Sequence, residues 1–126
     1  MRLLAALLLC ALALAACGDD GEREASAPAD DTRLQVEVTG LGAEPTEMQL
    51  VCNGRCAIEQ LRSAIAGVQD EERACTLQYG GPEKAHVTGT VEGREVDVTI
   101  DRADGCGIAA YEALFSAFDR QPPLKR

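Results

Sequence analysis

Ala85-His86-Val87-Thr88-Gly89-Thr90-Val91 alternates apolar and polar residues, Glu92-Gly93-Arg94 is a turn signal, and Glu95-Val96-Asp97-Val98-Thr99-Ile100 alternates again. A period of two on both sides of a glycine-containing turn predicts a β-hairpin with one apolar face. Such a face must be covered, so the neighbouring segments are read for what can cover it. Upstream, Leu34-Gln35-Val36-Glu37-Val38-Thr39 has the same alternation, and Met48 to Cys52 reads as another strand after a loop from Gly40 to Glu47. Asn53-Gly54 is a turn signal. Past Cys56 the period changes: Ile58, Leu61, Ile65 and Val68 fall on one helical face, with Gly67 near the stop. Downstream, Asp104-Gly105-Cys106 reads as a turn. Ile108, Tyr111, Leu114, Phe115 and Phe118 then suit a second amphipathic helix.

Between the first helix and the hairpin lie a charged stretch, Gln69 to Arg73, and then Cys75-Thr76-Leu77-Gln78-Tyr79. Thr76 and Tyr79 favour extended backbone, and Gly80-Gly81-Pro82 ends the run. With this segment as a strand, the expectation is about five strands and two helices over roughly 85 residues. That is an α+β two-layer sandwich, with both helices on one face of an antiparallel sheet. The folded domain is expected over 34–119, with a polar tail over 120–126.

The N-terminal part has a different character. Arg2 is followed by an apolar run from Leu3 to Ala16, too short to span a bilayer and suited to a signal peptide over 1–16. It ends in Leu14-Ala15-Ala16-Cys17-Gly18, which resembles a bacterial lipobox and predicts a lipidated Cys17 as the first mature residue. The alternatives are an ordinary secretory signal or a short uncleaved anchor. Residues 17–33 then form an acidic spacer almost without large apolar residues, a composition that does not fold by itself. The expected location is outside the cytoplasm, lipid-anchored on the outer face of the cell membrane or secreted.

Loss of residues 1–16 would leave 110 residues of the 126. It would also change the formal charge from −9 to −10, because Arg2 goes with them. A chain this acidic repels nucleic acid and does not lie on an anionic membrane surface, so the lipid is the only membrane contact expected. Of six cysteines, Cys10 leaves with the signal and Cys17 carries lipid. Cys52, Cys56, Cys75 and Cys106 remain, an even number that predicts two disulfides. Spacing alone allows three pairings. A four-cysteine zinc site would call for a double C-x-x-C pattern, which is not present.

Catalysis by this chain is not expected, and neither a cofactor nor a metal. The single histidine, His86, is out of phase with Val87 and Val91 and points to solvent. Ser26, Ser63 and Ser116 lie in no G-x-S-x-G elbow. The glycines lack phosphate-loop spacing. Asp70-Glu71-Glu72 lacks the regular ligand spacing of a calcium loop and reads as a solvated face.

On Cys75 to Tyr79, with the cysteine register to Cys106, the segment Met48–Phe118 resembles the subtilisin-inhibitor-like family of secreted bacterial protease inhibitors. Val87-Thr88-Gly89, Val91-Glu92-Gly93-Arg94, Asp104-Gly105-Cys106 and Phe115-Ser116-Ala117-Phe118 add to the resemblance. The resemblance implies the same α+β architecture and disulfides Cys52–Cys56 and Cys75–Cys106. It also implies a reactive bond between Leu77 and Gln78, with Leu77 filling the specificity pocket of a subtilisin- or chymotrypsin-like serine protease. Ala74, Cys75, Thr76 and Tyr79 complete the reactive loop. One departure is visible: only Asn53-Gly54-Arg55 separates the first two cysteines, where relatives carry a longer loop, so that pairing needs a tight turn. A homodimer is a further possibility for the partner. The alternative for Leu77 is a core position in an edge strand. The alternative for the whole chain is a lipid-anchored binding or structural lipoprotein with the inhibitor fold and no inhibitory activity.

Overall fold

A computed structural model describes residues 31–126. The expected signal peptide, the lipobox-like stretch with Cys17 and most of the expected spacer lie outside the described residues. The elements run β1 (Arg33–Thr39), β2 (Thr46–Val51), α1 (Ile58–Gln69), β3 (Lys84–Val91), β4 (Arg94–Asp101) and α2 (Gly105–Ser116). The four strands form one antiparallel sheet in the order β2-β1-β3-β4. The fold is therefore α+β as expected, with four strands.

The missing strand is Cys75–Tyr79. It lies in the connection between α1 and β3 and joins no ladder. Propensity at Thr76 and Tyr79 does not make a strand without a partner edge to accept its hydrogen bonds.

Register makes the apolar face. Leu50, Leu34, Gly89 and Val96 stand in one cross-strand row, and Met48, Val36, Val87 and Val98 in the next. Val38, Ala85 and Ile100 continue it. Val36, Val38, Ala85, Val87 and Ile100 are fully buried. The intervening residues, Gln35, Glu37, Gln49, His86, Asp97 and Thr99 among them, face the other way and are exposed or half-buried. His86 is exposed as expected, and its Nε2 lies 2.8 Å from the Asp97 carboxylate on the diagonal. The turn between β3 and β4 is Glu92-Gly93, with Arg94 already in β4. Both turn residues sit at positive φ (50° and 77°), which two-residue hairpins need to match strand twist.

Both helices lie on the apolar face. Leu61, Ala64 and Ile65 of α1 are buried, with Ile58 and Val68 packed at the margin of the core. From α2, Ala110, Tyr111, Leu114 and Phe115 are buried, and the Tyr111 and Phe115 rings meet at 5.1 Å between centroids. These two rings are the largest fully buried side chains. The α1 start is tied by Ala57 N–H donating to the Ala117 carbonyl at 2.8 Å. Arg62 of α1 donates a two-pronged pair to Glu92 at 2.7 and 2.8 Å, linking the helix to the hairpin tip. That hydrogen-bonded fork holds the Glu92 carboxyl below its usual range.

Three expected boundaries shift. Thr32 is fully buried and its carbonyl accepts from Cys52 N–H, so the folded part begins inside the expected spacer. Asp104-Gly105-Cys106 is the start of α2 and not a free turn: the Asp104 side chain accepts from Gly107 N–H at 2.8 Å as an N-cap. The polar tail is docked. The Tyr111 hydroxyl donates to the Pro123 carbonyl, and Lys125 N–H donates to Glu83, each at 2.7 Å.

Candidate functional site: a loop pinned at both ends

The connection between α1 and β3 runs from Asp70 to Glu83, 14 residues without a helix or strand. Connections this long are uncommon in a small domain and are usually either functional loops or linkers. Its first residues form a turn, with Glu72 N–H donating to the Asp70 side chain. The acidic run expected to be a solvated face therefore also shapes the chain locally.

Leu77 is 100% exposed and Tyr79 69% exposed, while Thr76 and Gln78 are exposed beside them. An edge-strand core position for Leu77 is thus not what the fold uses. Each end of this short stretch is fastened where β4 gives way to α2, one to the first residue of α2 and the other just past β4. The Thr76 carbonyl accepts from Gly105 N–H at 3.0 Å, and Gly80 N–H donates to the Arg102 carbonyl at 2.8 Å. Next to the first anchor stands the Cys75–Cys106 disulfide, with Cα atoms 5.4 Å apart. Gly80 is needed for the second, because any β-carbon there would collide with the Ile108 side chain of α2. The loop's two feet therefore share one foundation, and three exposed side chains, Leu77, Gln78 and Tyr79, stand between them.

Cys52 and Cys56 are also bonded, Cα atoms 5.3 Å apart, so the three-residue turn is tight enough. Cys75, Asp104 and Cys106 are the one close grouping of potential metal ligands among the described residues. Both sulfurs are committed to the disulfide and Asp104 caps α2.

Beneath the second foot lies a buried ion pair that sequence reasoning missed. Arg102 Nη1 donates to Glu83 Oε2 at 2.7 Å, with the two side chains 10% and 3% exposed. The guanidinium also stands 5.6 Å from the Tyr111 ring centre, within cation–π range. Arg102 Nε is buried without a partner. Burial alone would raise the Glu83 carboxyl, but the Lys125 N–H and the Arg102 guanidinium outweigh it and hold Glu83 below its usual range. Burial, with the Glu83 charge nearby, pushes the Tyr111 hydroxyl up to about 12, so it stays a donor to Pro123 at any ordinary pH.

The Cys75–Cys106 bridge spans 31 residues. Replacing both cysteines with serine is expected to cost roughly 3–4 kcal/mol by the chain-entropy argument. Urea unfolding checks that value. Limited proteolysis should show the Thr76–Tyr79 stretch cut first, because one of its two anchors is then weakened. No family model, curated protein or solved structure matches this chain.

Proposed function

We propose that the chain is a substrate-like inhibitor of subtilisin- or chymotrypsin-like serine proteases. The reactive bond is Leu77–Gln78, and the domain is carried outside the cytoplasm on a lipidated Cys17. The observation that carries the reading is a fully exposed Leu77 on a stretch whose ends are both bonded to the same rigid segment. A single exposed leucine is ordinary on a protein surface, so exposure alone assigns it no role. On a fixed loop it is an anchor for an apolar pocket.

Ala74, Cys75 and Thr76 pair with the enzyme as an added strand. Leu77 enters the specificity pocket, and its burial contributes roughly 1.5–3 kcal/mol. The protease serine attacks the Leu77 carbonyl, and the Leu77–Gln78 bond breaks to give an acyl-enzyme and the Gln78 amine. That amine remains in place, because Gly80 is bonded to Arg102 two residues on and Cys75 is tied to Cys106. The amine then attacks the acyl-enzyme and restores the peptide bond faster than water hydrolyses it. Affinity comes from preorganisation, since the loop loses little freedom on binding. The two disulfides fit an oxidising compartment. No helix among the described residues is long and apolar enough to cross a membrane.

Incubation with subtilisin tests this. Residual activity should fall in proportion to added protein, and intact mass should show either an uncut chain or a single cut after Leu77. Full protease activity with degradation at many bonds would exclude inhibition and favour the non-inhibiting lipoprotein.

A further inference from the structure

The Gly80 anchor belongs to a closed circuit of contacts. Gly80 N–H is held by the Arg102 carbonyl, and the Arg102 guanidinium by Glu83 Oε2. Glu83 Oε1 accepts from Lys125 N–H. Two residues before Lys125, Pro123 accepts from the Tyr111 hydroxyl, and the Tyr111 ring faces Arg102 again. The guanidinium also lies directly under Gly81, where a β-carbon would come within 2.9 Å of Arg102 Nη1. The protein thus places a buried charge pair under one foot of the loop and closes it with the backbone of its last residues.

We propose that Glu83, Arg102 and the backbone N–H of Lys125 are positioning residues of the reactive loop, with residues 123–125 acting as a strap that holds the Gly80 foot in register. This rests on the inhibitor reading for its consequence, but not for its geometry. Glu83 and Arg102 are buried, so they act through the loop and not at the protein surface. Arg102 donates from Nη1 to a carboxylate whose other oxygen accepts from the strap, and the Arg102 Nε has no partner of its own. When the strap lets go, the carboxylate gains freedom, the guanidinium follows, and the Gly80 hydrogen bond opens more often. A cleaved loop then loses its Gln78 amine more readily, and the inhibitor becomes a substrate.

Lys125→Pro in the full chain isolates the effect, because proline deletes the N–H and leaves the core untouched. Lys125→Ala keeps the N–H and removes only an exposed side chain. The readouts are amide hydrogen exchange at Gly80, Val36 and Val87, and the rate at which subtilisin cuts Leu77–Gln78. For Lys125→Pro, exchange at Gly80 and cleavage should both rise about three- to tenfold, the value of one ordinary hydrogen bond. Val36 and Val87, in the two central strands, should stay at wild-type rates, and Lys125→Ala should match wild type throughout. Unchanged Gly80 protection overturns the proposal. So does a rise shared equally by Val36 and Val87, which marks general destabilisation, or the same rise in Lys125→Ala, which marks a side-chain effect. If wild type fails to inhibit subtilisin at all, the inhibitor reading falls while the exchange measurements still decide whether the strap holds Gly80.

Discussion

Leu77→Arg is expected to exchange one class of protease for another while leaving the fold alone. Against subtilisin- or chymotrypsin-like enzymes the variant loses the leucine burial, roughly 1.5–3 kcal/mol. It must also desolvate an unpaired guanidinium in an apolar pocket. At about 1.4 kcal/mol per tenfold, the leucine alone accounts for about 10- to 150-fold in the inhibition constant. Against a trypsin-like enzyme the sign reverses, because the pocket carries a carboxylate and the arginine gains a charge-assisted pair. Leu77 is 100% exposed and so packs against nothing in its own domain. Thermal stability should therefore stay within the few tenths of a kcal/mol usual for surface changes, about ±0.5 kcal/mol. Inhibition constants against both enzyme types, with melting curves, check the whole statement. Weaker subtilisin binding without any gain against trypsin would remove Leu77 from the specificity pocket.

Glu83→Ala is expected to be the most destabilising single change near the loop. It leaves the Arg102 guanidinium buried, its side chain 10% exposed, with no counter-charge. Breaking one member of a buried pair costs about 3–5 kcal/mol. For a domain of this size each kcal/mol is worth about 4–8 °C, so the melting point should fall by more than about 12 °C. Replacing both members, Glu83→Leu with Arg102→Met, should recover most of that loss, since no charge is then left unpaired.

The same pair has a pH signature. Because the folded state holds the Glu83 carboxyl below its usual value, its contribution is complete above the ordinary glutamate range. It is lost as pH falls through the lowered folded value. Wild type should therefore lose stability steeply in acid, and Glu83→Ala, already without the pair, should show a shallower slope there. Melting points from neutral pH downward distinguish the two. Identical slopes would mean that other carboxylates carry the acid response.

The layers of this fold were legible in the chain because they depend on period alone. Leu34, Val36 and Val38, then Ala85, Val87 and Val91 with Gly89 between the last two, then Val96, Val98 and Ile100 keep one period of two. Strands covered on one face have no other solution. Ile58, Leu61, Ile65 and Val68 carry the helical period just as clearly. The expected fifth strand failed because propensity at Thr76 and Tyr79 is local, whereas a strand needs a neighbouring edge. The buried pair had a signal that alternation already contained. Continuing the phase of Ala85 and Val87 backwards places Glu83 on the apolar face, and continuing Val98 and Ile100 forwards places Arg102 there. Ala85 pairs with Ile100, so the same register sets Glu83 opposite Arg102. Two opposite charges on a buried face at matching register must meet.

Other features belong to tertiary structure alone. That Leu77 stands fully in solvent follows from the Gly105 and Gly80 hydrogen bonds to residues about 25 positions away, and no local pattern encodes a distance of that kind. Arg120 to Arg126 reads as a polar tail because nothing in its composition names Tyr111 or Glu83 as partners. It docks because a buried carboxylate with one oxygen already paired needs a second donor, and the last residues of the chain lie within reach of it. The chain by itself determined which residues face inward. Only the packed molecule decided which of the outward ones are held still.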